Sequence, residues 1–287
     1  LADNLMLGAY SENAMSGVAL VNQIQFLLQM LVLGVGEGLV VLASQYWGKG
    51  EVQPIKRLTS CALGVGLGAA LALFAAVFSA PRFCLSLFTD QWVYVDEAVK
   101  YMNIICFSYP IFAVTNVLLA SLRSVETVKI GYLVSFSTLL INCTLNYILI
   151  FGNLGAPEMG ARGAAVATLI ARVIELGIVL IYLFFIDKKL RFKFKELFIG
   201  SKQLFQDYLR AGLPIILSNA SWGVAMALQT AILGHMQGAL PANSIASTVY
   251  QIISVLAYGA ASAACIITGK TVGSGKSELV KGYARTM

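Results

Sequence analysis

Four ionisable side chains lie inside long apolar segments of this chain: Asp3, Glu37, Arg172 and Glu175. A charge at membrane depth costs about 2.5–3.5 kcal/mol or more, so each must be paired, protonated or bound to a cation. Arg172 and Glu175 stand three apart on one helical face and can neutralise each other, which reads as a structural ion pair. Asp3 has no cationic neighbour in its own segment; such a carboxylate would hold its proton or take up a cation, and it is the first candidate for ion coupling. Glu37 sits in Gly36-Glu37-Gly38, where the bare flanks admit a solute or another backbone, so it is a candidate for a substrate cleft. Asn142 and Asn146, at i and i+4, share a helix face on which amide oxygens could coordinate sodium or bond a carboxyl; asparagines also join helices. Thr168, Asn22, Gln23, Asn219 and Gln251 are further polar groups in apolar surroundings that could line a cavity.

Enzyme motifs fail when tested. Gly269-Lys-Thr-Val-Gly-Ser-Gly-Lys276-Ser277 looks like a phosphate loop, but Lys270 stands where its first glycine should be and no strand precedes it. His235 is the only histidine, so a zinc pair or a Ser-His pair has no partner to draw on. The cysteines, Cys61, Cys84, Cys106, Cys143 and Cys265, show no metal-ligand spacing and read as buried apolar residues. No enzyme, cofactor or metal is expected.

The elements that carry these residues are set by composition. Hydrophobic residues are 58% and charged residues 12% of the chain, and the mean hydropathy is +0.79, so the surrounding solvent is lipid. Apolar runs long enough to span a bilayer fall at 18–42, 59–80, 98–120, 130–151, 163–186, 211–234 and 244–268, with 1–9 as the outer end of another. Backbone groups in hydrocarbon must bond within their own segment, so these runs are helices of a bundle. Gly34/Gly38 and Gly64/Gly68 mark close helix packing, and Pro110 and Pro214 interrupt long spans. The chain opens within a helix and reads as a fragment.

The net charge of +6 is a signal of topology. Sixteen of the twenty Lys and Arg fall in the alternate loops 47–57, 121–129, 187–210 and 269–287, which places those loops in the cytoplasm and makes nucleic-acid binding a poor reading. Residues 187–207 are the one clear linker, with Phe192, Phe194, Leu197 and Phe198 interleaved with charges as in a segment lying on the inner membrane surface. It separates a first lobe, 1–186, from the start of a second, 208–287.

Two stretches echo each other. Leu7-Gly8 recurs as Leu233-Gly234, Gln23-Ile24 as Gln251-Ile252, and Gly48-x-Gly50 as Gly273-x-Gly275, as in transporters built from two similar halves. With Ala2-Asp3-Asn-Leu-Met-Leu-Gly8, Ala43-Ser-Gln-Tyr-Trp-Gly-Lys-Gly50, Ala120-Ser-Leu-Arg123, Leu140-Ile-Asn142 through Asn146-Tyr-Ile-Leu-Ile-Phe-Gly152, and Gly160-Ala-Arg-Gly-Ala-Ala-Val-Ala-Thr168, the chain resembles the multidrug and toxic compound extrusion (MATE) family over essentially its whole length.

The resemblance implies an all-α polytopic membrane protein, a two-lobed bundle with six helices per lobe when intact and about eight helices here. Helices 1–6 would make the first lobe, helix 1 being truncated, and helices 7–8 would open the second. It implies antiport of Na+ or H+ against organic, often cationic, compounds, by a monomer in a plasma membrane of the bacterial inner-membrane type. By position, Asp3, Asn142, Asn146 and Thr168 would form the ion site, and Glu37, Gln23, Asn219 and Gln251 remain cleft candidates. Some members carry a carboxylate where Asn146 stands, and others a glutamate in the seventh helix, which 211–234 lacks. A lipid-linked oligosaccharide flippase of the same superfamily is the alternative; it would line its cleft with several cations for pyrophosphate, whereas the apolar runs of this chain are expected to bury only Arg172.

Overall fold

The computed structural model describes residues 2–88, 92–234, 239–276 and 278–286, and these contain helices and turns but no strand. In chain order the helices are α1 (Ala2–Tyr10), α2 (Glu12–Lys49), α3 (Val52–Ser79), α4 (Pro81–Ser86), α5 (Trp92–Ile105), α6 (Ser108–Ser124), α7 (Lys129–Phe151), α8 (Ala161–Ile181, prolonged by a π turn Tyr182–Ile186), α9 (Lys202–Gly234), α10 (Ala239–Gly273) and α11 (Glu278–Thr286). Among the described residues, five helices are long and apolar enough to cross a membrane, and six if α5 and α6 count as one bent span. At 1.5 Å per residue α2 runs about 57 Å, well beyond the roughly 30 Å hydrocarbon core.

Local chemistry explains the boundaries. Ser11 separates α1 from α2, its Oγ accepting the Ala14 N–H at 3.5 Å as a cap. Pro81 opens α4 at its first turn and so closes α3, because the residue before a proline leaves the helical region. The expected 98–120 span is two helices meeting at 54°, and the break falls at Cys106–Phe107 rather than at Pro110. Pro110 carries no N–H and its ring would strike the carbonyl four residues back, that of Cys106, so the chain turns there. The Ser108 hydroxyl takes up a freed carbonyl, donating to Ile105 at 2.6 Å.

The chain forms two compact units. The first comprises 1–32, 63–119 and 128–191. Its core holds Leu7, Val21, Ile24, Leu28, Tyr101, Met102, Tyr109 and Ala164. On α7, Tyr132, Leu133, Phe136, Leu139, Leu140 and Tyr147 form an exposed apolar stripe at helical spacing, the surface of an element solvated by lipid. Gly163 brings α8 directly onto α7, since a Cβ there would overlap the Leu149 carbonyl.

The second unit comprises 33–62, 120–127 and 192–287. Here α2 and α10 end alike. Gly50 (φ 77°) and Gly275 (φ 78°) are left-handed, with Gly50 N–H to Trp47 carbonyl and Glu51 N–H to Tyr46, and with Gly275 N–H to Val272 and Lys276 N–H to Thr271. These are two copies of one Schellman ending, at the two copies of the repeated Gly-x-Gly. Of the glycines expected at helix contacts, Gly34 and Gly38 meet α9, whereas Gly64 and Gly68 face open space because their side of α3 meets no partner backbone. Much of the linker's apolar surface is covered by protein: Phe192 and Leu197 are buried, while Phe194 and Ile199 are exposed. Arg172, expected to be the only buried cation, is half-buried, whereas Lys56 is buried because Glu196 clasps it at 2.7 Å while accepting the Lys193 N–H at 2.8 Å. Burial alone would raise the Glu196 carboxyl, but the Lys56 ammonium and the Lys193 N–H outweigh it and hold the group below the usual carboxylate range.

Candidate functional site

Three helices of the first unit bring the polar residues together. Asp3 lies on α1, Asn142 and Asn146 on α7, and Thr168 on α8. Asn146 is fully buried; its Nδ2 donates to Asp3 Oδ1 and to Asn142 Oδ1, the latter at 3.1 Å. Asn142 Nδ2 donates to Thr168 Oγ1 at 3.1 Å, and Thr168 Oγ1 donates to Asp3 Oδ2 at 3.4 Å. Both carboxylate oxygens of Asp3 are therefore occupied by neutral donors, and no cation bonds them among the described residues. Among the described residues, Asn146 Oδ1 is buried without a hydrogen-bond partner. A buried carbonyl oxygen left unpaired costs about 1–3 kcal/mol, so this one is poised to accept a proton donor or a cation.

The cluster opens into a cavity of about 490 Å³, also lined by Asn22, Gln25, Phe26, Gln29, Tyr101, Arg172 and Glu175. Arg172 donates to Glu175 at 2.8 Å and its guanidinium lies 4.6 Å from the Phe112 ring centre, so this cation is held by its own helix and by α6. The cavity wall thus carries two carboxylates and one guanidinium, a net negative character that suits cationic solutes.

The remaining candidates fall elsewhere. Glu37 does not line this cavity; in the second unit its Oε2 accepts Asn219 Nδ2 at 3.0 Å. Gln23 is half-buried and also off the cavity wall. The side chain of Gln251, and His235 as a whole, lie outside the described residues. Gln25 and Gln29 were not singled out from the sequence, although Asn22, Gln25 and Gln29 at i, i+3 and i+7 make one polar stripe along an apolar helix, a signal that was there to read.

Known proteins are similar to this chain in sequence and in fold. The MatE family model matches residues 1–148. A probable multidrug resistance protein NorM of Thermotoga maritima is 29% identical over 291 residues, covering 99% of this chain and 61% of that protein. The multidrug resistance protein NorM of Vibrio cholerae is 28% identical over 183 residues, covering 63% of this chain and 39% of its own. This chain therefore spans about three fifths of the Thermotoga relative's length. In fold it superimposes on an outward-facing multidrug resistance MATE family transporter of the MOP superfamily, at 21% identity, with a TM-score of 0.86 and coverage of 98% of this chain and 62% of that one. A MATE protein crystallised in a bent conformation gives the same TM-score at 22% identity. With the family model matched over half its residues, the chain belongs to the MatE family.

Proposed function

We propose that the protein is a secondary active exporter of organic, often cationic, compounds, driven by inward movement of Na+ or H+ through alternating access. The relatives named multidrug resistance proteins support the efflux class, and the Lys/Arg asymmetry supports a cytoplasmic side at 47–57, 121–129, 187–210 and 269–287. The observation that carries the coupling is the Asp3 carboxylate, bonded only by neutral groups on the wall of a cavity and beside the unpartnered Asn146 oxygen.

The chemistry follows from that geometry. A proton on Asp3, or a cation between Asp3 and the amide oxygens, reverses what Asn146 must present: its amide turns and the stranded Oδ1 becomes the ligand or acceptor. The same charge change removes the attraction that a bound organic cation feels in the cavity. Ion and substrate therefore compete, and only such a difference in affinity between states can move an access equilibrium. The cavity's single guanidinium is already paired with Glu175, which gives a pyrophosphate-linked lipid little to hold and leaves the flippase reading unsupported.

Gradient-driven dye efflux from vesicles tests the assignment. Asp3→Asn retains the shape of the cluster and removes the titratable oxygen. It is expected to abolish the dependence of efflux on an imposed Na+ or H+ gradient while leaving the protein monodisperse. Unchanged gradient-driven efflux would sink the proposal.

A further inference from the structure

Tyr10 ends α1 on the face that carries Asp3, and the coupling chemistry makes no use of it. A helix turns about 100° and rises about 1.5 Å per residue, so these two side chains, seven positions apart, lie within about 20° of one another and about 10 Å along the axis. Leu7, buried in the core, stands between them on the same side. The Tyr10 ring is received by the turn that joins α7 to α8. Gly160 is left-handed there (φ 53°, ψ −126°), a conformation that glycine alone adopts readily, and a Cβ on it would come within 2.7 Å of the ring. Phe151, at the end of α7, meets the same ring edge to face, with the centroids 6.4 Å apart. The Tyr10 hydroxyl faces the Glu158 carboxylate.

The turn itself is fixed at both ends. Gly152 closes α7 in the left-handed region (φ 70°), where a Cβ would press on the Glu158 nitrogen at 3.0 Å. Met159 N–H to Leu149 and Gly160 N–H to Ile150 tie its far side back to α7. Each partner of Asp3 therefore shares an element with a partner of Tyr10: Asn146 with Phe151 on α7, and Thr168 with Gly160 at the start of α8. The ring is not a core side chain. It is 40% exposed and borders a cavity of about 720 Å³ that Glu97, Glu158 and Arg162 also line, so truncating it leaves no sealed void.

We propose that Tyr10 is a positioning residue for the ion site: its ring, seated on Gly160 and Phe151, fixes the rotation and height of α1 and so sets how tightly Asp3 holds its ion. The inference rests on the ion-coupling reading of Asp3 given above. Two turns of helix behave as a rod, so a seat that fixes the angle of Tyr10 fixes the angle of Asp3 as well. Asp3 must meet Asn146 and Thr168 at once, and a site of this kind needs its groups held within about 0.5 Å. Leu7 packs through an aliphatic side chain, which tolerates sliding and twisting; a flat ring between a bare backbone and a second ring does not. Without that ring α1 populates orientations in which Asp3 no longer stands beside the Asn146 amide. Ion affinity then falls in proportion to the time the assembled site is present.

Displacement of a fluorescent organic cation by Na+ and by protons, measured on the purified protein, reads the ion affinity. Tyr10→Ala should need about tenfold more Na+, or a pH about one unit lower, for half-displacement, and should reach the same final extent because Asp3 remains. Tyr10→Phe keeps the ring and should stay within about twofold of the wild type. Phe78→Ala removes an exposed ring stacked on Phe74 in the same unit; it is the control for lost packing and should leave the midpoint unmoved. Should Tyr10→Ala fail to fold, Tyr10→Leu, which cannot lie flat on Gly160, should give the shift in its place. An unmoved midpoint in the truncated variant, a shift in Tyr10→Phe as large as in Tyr10→Ala, or an equal shift in Phe78→Ala overturns the proposal. Wild-type binding indifferent to both ions strikes the Asp3 reading and this proposal with it, and is told apart because it shows before Tyr10 is changed.

Discussion

Gly163→Val is expected to destroy most of the folded protein. Position 163 lies in the first turn of α8, where a Cβ would overlap the Leu149 carbonyl oxygen and carbon and come within 3.1 Å of the Ile150 nitrogen. Those atoms are helix backbone and cannot swing aside. The same stretch of α7 is already tied to the incoming chain, since Met159 N–H donates to Leu149 at 3.0 Å and Gly160 N–H to Ile150 at 3.4 Å. Accommodating a side chain means prising α8 off α7, which also carries Thr168 away from Asn142. Overpacking commonly costs about 1–3 kcal/mol, and a clash with backbone belongs at or above the upper end. Gly177→Ala is the control on the same helix, because its Cβ would meet nothing within 4 Å; removing a mid-helix glycine there should be neutral or stabilise by up to about 1 kcal/mol. Thermal unfolding in detergent and the yield of monodisperse protein report both. Equal behaviour of the two variants would show that α7 and α8 do not meet as described.

Asn146→Asp is expected to tighten ion binding more than any other single change in the cluster. Asn146 is fully buried and bonds Asp3 through its amide nitrogen. A second carboxylate at that place would leave two like charges about 4 Å apart, a repulsion of about 4 kcal/mol at an effective dielectric of 20. Two carboxylates so placed cannot both ionise without a cation between them. The variant should therefore retain a proton or Na+ under conditions where the wild type releases it, moving the ion dependence of substrate binding by about tenfold or more in concentration. The MATE resemblance anticipated a carboxylate at this position in some members, so the substitution asks whether Asn146 sets how weakly this site holds its ion. Binding curves at varied Na+ and pH would show the shift; coincident curves would remove Asn146 from the coupling site.

Lipid made much of the fold legible. A spanning helix must be a long apolar run, so the elements could be read from composition and length. Bends were harder: Pro110 announces a break, but the missing hydrogen bond and the ring clash act four residues earlier, at Cys106. Half of the candidate site was local. Asn142 and Asn146 share a face by spacing alone, and Asn146 Nδ2 does reach Asn142 Oδ1. Their meeting with Asp3 and Thr168 depends on how α1, α7 and α8 pack, and no spacing in the sequence encodes that; the family resemblance supplied it. Gln25 and Gln29 were hidden in plain view because single polar residues in a long helix carry little weight until their common face is noticed. The repeated Gly-x-Gly was legible as an echo, and both copies end a helix in the same left-handed turn. The end of α6 has the same ending, with Glu126 at φ 59° in the glycine's place, and no residue type signalled it.

The proposed coupling requires that ion and substrate compete at Asp3. Binding of a fluorescent organic cation to the purified protein, measured by polarisation across Na+ concentration and pH, tests it without any need for transport. In the wild type, added Na+ or protons should weaken dye binding about tenfold, within the usual range of coupling between two sites, and in Asp3→Asn the dependence should vanish. Dye affinity indifferent to both ions in the wild type, or a dependence that survives in Asp3→Asn, would contradict it.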